Sequence, residues 1–185
     1  MESLVMSSLS RRVCTHALAV MALSLPAAVE AQQSEADLKA VSATTLTMPT
    51  YKQYLDASVN LANVAAKNPA MAEGMKDSGE QSIADQVKTL ESHPEAKAAI
   101  ASTGLTTKDY VLTQWALLQT GMAYAMTKGT GATQDDMIKK AGVSKANMDF
   151  YAKNEAEINR LAEEAKARTP NVPDEEDSGE EEAAE

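Results

Sequence analysis

The chain has 185 residues, 27 acids against 17 bases for a formal net charge of −10, two histidines and one cysteine. That balance leaves no basic stripe able to neutralise a phosphate backbone, which excludes nucleic acid as a partner. A single cysteine excludes an internal disulfide, so a fold of this length must rest on its apolar core.

The first 31 residues read as a secretory signal. Arg11 and Arg12 supply the positive flank, Val13 to Leu25 the apolar run, and Val29-Glu30-Ala31 the small-residue exit, with cleavage expected after Ala31. An uncleaved membrane anchor is the competing reading, although the run is short for a span. Ser10-Arg11-Arg12 also hints at twin-arginine export, but Cys14 stands where that signal prefers a bulky apolar residue, so general secretion is expected. Cleavage would remove Cys14 and leave residues 32–185, without a thiol, in the periplasm or outside the cell.

Helical spacing dominates the next segments. Tyr51, Tyr54, Leu55, Ser58, Leu61, Ala62 and Ala65 fall on one side of a helix, with Lys52, Asp56, Asn60, Asn63 and Lys67 on the other. Pro49 lies near its first turn and Asn68-Pro69 closes it. Ile83, Val87 and Leu90 mark the next helix, with Ser78 and Gln81 at capping-box spacing ahead of it. Between the two, Met71 and Met75 sit in a looser segment flanked by Gly74 and Gly79.

Pro94 can begin a short helix that Gly104 ends. Leu105 then packs back on Ile100, and Thr106 with Asp109 caps the following helix. The same grammar returns at Ile138, Gly142, Val143 and Ser144. From Tyr110 to Thr127 there is no charge, and Val111, Trp115, Leu118, Met122, Ala125 and Met126 form one stripe. Such a helix belongs at the centre of a bundle, with Trp115, Leu118 and Met122 in the core. Gln114, Gln119, Thr113 and Thr120 argue against a transmembrane span. A last helix runs from about Lys145 to Arg168, with Met148, Tyr151, Ile158, Ala162 and Ala165 inward. The expected fold is all-α: a single irregular bundle of about five or six helices over residues 32–172. Pro173 to Glu185 holds eight acids and no base, and reads as a disordered, solubilising tail.

The segments "LTMPTYKQY" and "GLTTKDYVLTQWALLQTGMAYAM" resemble a group of small exported bacterial helical proteins of unknown function. The resemblance covers about two-thirds of residues 32–185 and implies export and a helical fold. It carries over no catalytic residue and no ligand.

The residues for most catalysis are missing after cleavage. His93 would be the only base for any serine nucleophile, and no serine stands in a Gly-x-Ser-x-Gly elbow. Asp135/Asp136 and Glu163/Glu164 are sequence neighbours that diverge on a helix. The ligand sets for structural zinc and covalent haem are lacking. A non-catalytic chain without a cofactor is expected.

Two candidate sites stand beside plainer readings. Met71 and Met75 share a helical face and, with His93, could hold cuprous copper, whereas core or surface packing also explains methionines. Asn154 projects inward between Phe150, Tyr151 and Ile158, with Glu155 at the edge of that face. Asn154 either ties down a loop at the Gly104 or Gly142 corner, or it lines a polar notch with Glu155, Gln114, Gln119 and Tyr124. The expected function is therefore binding of a small molecule or another envelope protein by a monomer or homodimer, with methionine-based copper handling as the alternative.

Overall fold

The computed structural model describes residues 34–76 and 81–170, without the side chains of 73–76. The expected secretory signal, Ser78 and the acidic tail lie outside the described residues. Those residues form eight helices and no strand: α1 (Glu35–Ala43), α2 (Met48–Ala65), α3 (Pro69–Lys76), α4 (Ile83–Ser92), α5 (Pro94–Ala101), α6 (Thr107–Thr130), α7 (Gln134–Ala141) and α8 (Lys145–Arg168). The all-α class is as expected, but the helix number exceeds five or six. The additions are α1, in which Val41 is the single buried residue, and α3, whose sequence is interrupted by Gly74.

Side-chain oxygens start most of these helices. Ser34, Thr47, Ser82, Thr106, Thr133 and Ser144 each accept a hydrogen bond from the backbone N–H three residues on. This satisfies a donor that the first turn would otherwise leave unpaired. The start of α4 is thus Ser82 with Asp85, not Ser78 with Gln81. Asn68-Pro69 does more than close α2: the Asn68 Oδ1 accepts from the Met71 N–H at 3.2 Å, which opens α3.

A glycine, an apolar residue and a hydroxyl residue make three of the corners. Gly104-Leu105-Thr106 and Gly142-Val143-Ser144 behave as the sequence implies. Both glycines have positive φ (88° and 64°), and Leu105 and Val143 are buried. Gly131-Ala132-Thr133 is a third instance, with φ 72° at Gly131. The left-handed backbone is accessible at little cost only without a Cβ, the apolar follower folds back, and the hydroxyl caps the next helix.

The uncharged α6 is central, packing against α1, α2, α4, α5, α7 and α8. Helices α2 and α5 run antiparallel: Asn68 donates to Glu95 at one end, and Asn60 reaches Ser102 further along. Helix α8 spans both α2 and α6. Its Ile158 carbonyl accepts from the Tyr51 hydroxyl at 3.0 Å, and its Tyr151 hydroxyl donates to the Leu117 carbonyl at 2.9 Å. A Cβ built on Gly121 would lie 3.0 Å from that hydroxyl, so the missing side chain there makes room for the tyrosine.

The buried side chains fall into two groups. The main core unites α1, α2, α3, α4, α5, the first half of α6 and α8, with Met71, Ile100 and Val111 fully enclosed. A smaller cluster of Ala123, Met137, Val143 and Met148 holds α7 against the later half of α6 and the start of α8.

Candidate functional site

Two of the notch candidates, Tyr124 and Glu155, meet. Tyr124 on α6 donates its hydroxyl to Glu155 Oε2 on α8 at 3.1 Å, and Lys128, one turn on, donates to both carboxylate oxygens at 2.5 and 2.7 Å. The Lys128 ammonium also lies 5.3 Å from the Tyr124 ring centroid, within cation–π range. The hydrogen bond from Lys128, helped by the Tyr124 hydroxyl, holds the Glu155 carboxyl below its ordinary range, and the same bond raises Lys128. A carboxylate held ionised with both oxygens occupied is a poor proton acceptor. The group is half-exposed, and it clasps α8 to α6.

Asn154 turns to its own helix instead. It donates from Nδ2 to the Phe150 carbonyl at 2.8 Å, four residues back. It therefore ties down neither the Gly104 nor the Gly142 corner. Gln114 and Gln119 are half-buried on α6. The inward asparagine that secures a loop is Asn147, two turns earlier. It is 1 % exposed; its Oδ1 accepts from the Leu46 N–H at 2.9 Å and its Nδ2 donates to the Thr44 carbonyl at 2.8 Å. The connection between α1 and α2 is thereby pinned to α8. Its signal in the sequence was Ser144-x-x-Asn147 on the inward face, one heptad before the residue singled out.

The copper candidates lie in different settings. Met71 is a fully buried core side chain. Met75 is on α3, with its side chain outside those described. His93 is half-buried at the junction of α4 and α5 and makes no side-chain capping bond. Among the described residues no group of three or more His, Cys, Asp or Glu could hold a metal ion. A shallow, open depression lies along α4, lined by Gln81, Asp85, Lys88, Thr89 and Ser92.

The central stripe departs most from expectation. Val111 and Trp115 are buried, and the Trp115 Nε1 donates to the Gln86 Oε1 of α4 at 3.2 Å. Leu118 packs against the core, but Met122 is 57 % and Met126 49 % exposed, so Met122 is a surface residue. The geometry of the stripe is sound; its cover runs out. At 1.5 Å per residue α6 spans about 36 Å and α4 about 15 Å, so α4 can cover less than half of it. Ala125 and Gly129 share the uncovered face, and a Cβ built on Gly129 would meet nothing within 4 Å. With Leu38 of α1, the two methionines are the large hydrophobic residues left exposed among those described.

No helix among the described residues is long and apolar enough to cross a membrane. No known protein family, curated protein or solved structure matches the chain.

Proposed function

We propose that the chain is an exported, non-catalytic interaction module that docks an apolar helix of another envelope protein on the later half of α6. One observation carries this reading: the stripe of Val111, Trp115 and Leu118, covered by the chain's own helices, continues in register as exposed Met122, Ala125, Met126 and Gly129. Flexible thioethers beside two small residues form a surface that a helix can pack on without a fixed shape. A face two turns long offers on the order of a few hundred Å², below that of permanent interfaces, so the partner is transient. A protein is favoured over a small molecule because both Glu155 oxygens and the Tyr124 hydroxyl proton are engaged within the chain.

The test is a photo-crosslinking amino acid placed at position 126, and separately at 88 on the outer face of α4, in cells making the full chain. A discrete adduct is expected in the envelope fraction from position 126 alone, lost when Met122 is also replaced by Glu. Adducts of the same pattern from both positions, or none from 126, would sink the reading.

A further inference from the structure

Five methionines fall at the two extremes of access, while Met48 is half-buried against the main core. Met71 and Met148 are 0 % exposed and Met137 5 %, whereas Met122 and Met126 are 57 % and 49 % exposed, four residues apart on one face of α6. That spacing sets their Cβ atoms over one another on adjacent turns. Ala125 between them is exposed, and a Cβ at Gly129 would stand in open space.

Access matters because a thioether is a two-electron oxygen acceptor. Its sulfur lone pair attacks the oxygen of a hypohalous acid. The S–O bond forms as the O–halogen bond breaks, halide leaves with the bonding pair, and the hydroxyl proton passes to water. Sulfur is oxidised and halogen reduced by the same two electrons; a peroxide reacts likewise, with its distal oxygen transferred and an alcohol or water released. The product is a polar sulfoxide. In the core it would disrupt packing, but on the uncovered half of α6 it displaces no neighbour.

We propose that Met122 and Met126 are a paired oxidation site for hypohalous acids and peroxides, whose conversion makes the α6 stripe polar while the fold persists. The oxidation stands on the exposure of the two methionines. Its consequence for docking rests on the proposed function.

The test is stepwise titration of the folded protein with hypochlorous acid, with oxygen uptake at each methionine followed by peptide mass spectrometry. Met122 and Met126 are expected to react at least about tenfold faster than Met71, Met137 and Met148, as access dictates. Helical circular dichroism and Trp115 fluorescence should be unchanged when both are sulfoxides. Retention on a hydrophobic-interaction column should fall on oxidation, and should not fall in the Met122→Leu/Met126→Leu variant. Equal rates at the buried methionines, or loss of helix with the first sulfoxide, would overturn the proposal, as would unchanged retention after full conversion of the pair. Selective oxidation with lost retention, but no cross-link from position 126, would defeat the docking reading alone.

Discussion

Asn147 and Asn154 are both inward residues of α8, yet truncating them leaves different things behind. Without its amide, Asn147 abandons a buried Leu46 N–H and the Thr44 carbonyl, neither of which water can readily replace at a 1 %-exposed position. Each unpaired buried group costs about 1–3 kcal/mol, so Asn147→Ala should destabilise by about 2–4 kcal/mol in urea unfolding. Asn154 bonds only to the Phe150 carbonyl of its own helix, a group already within the helical ladder. Asn154→Ala should stay within about 0.5 kcal/mol of the parent. Equal losses in the two variants would show that the loop is held by something other than the Asn147 amide. The sequence pointed to the right residue type on the right face but not to the turn. A helical projection gives direction around the axis and is silent on which loop lies opposite at each level.

Element ends were more legible than element neighbours. Gly104, Gly142, Thr106, Ser144 and the span of α8 follow from short-range chemistry that needs no partner, and these were readable. Gly131-Ala132-Thr133 obeys the same rule but hid behind a weakly apolar alanine, and α3 hid behind Gly74. What could not be read is where one helix outruns the next, which is why Met122 looked like core. The same end of the molecule yields a prediction about α7. Its burial rests on the separate cluster of Met137 with Ala123, Val143 and Met148, not on the main core. Eight residues make too short a helix to persist once undocked. Native-state hydrogen exchange should therefore show the amides of 137–141 opening at least about 2 kcal/mol more easily than those of 111–120 in α6. Met137→Ala should widen that gap, since truncating a buried methionine costs about 2–5 kcal/mol. Equal protection of the two helices would mean that α7 opens only with the whole domain.

Across the whole molecule, α2, α6 and α8 are joined through tyrosines, and this sets the alkaline limit of the fold. Tyr54 and Tyr110 stack with ring centroids 5.2 Å apart, and the Tyr110 hydroxyl meets Ser58 Oγ at 3.2 Å. Phe150 joins Tyr51 to Tyr151 through edge contacts of 6.5 and 5.9 Å. Burial is the main reason that Tyr51 is pushed up to about 12 and that Tyr54, Tyr110 and Tyr151 are raised; neighbouring phenols add to this at Tyr51, Tyr110 and Tyr151. In the unfolded chain each phenol would ionise near its ordinary pKa of about 10. Below that pH both states hold the proton and the groups leave stability unchanged. Above it the unfolded chain loses protons that the folded chain keeps, so stability falls as pH rises until the folded phenols also ionise. The loss approaches about 1.4 kcal/mol per pH unit for each tyrosine that keeps its proton in the folded chain, so several acting together remove a large share of the typical 5–15 kcal/mol of a domain. Unfolding followed by circular dichroism should therefore show a steep, cooperative transition beginning between pH 10 and 12, with phenolate absorbance rising in the same step. Tyr110→Phe, which keeps the stacked ring and removes the ionising hydroxyl, should make that transition shallower. Phenolate absorbance that rises well before the helices melt would show that the tyrosines ionise inside the folded protein, and would remove burial as the cause.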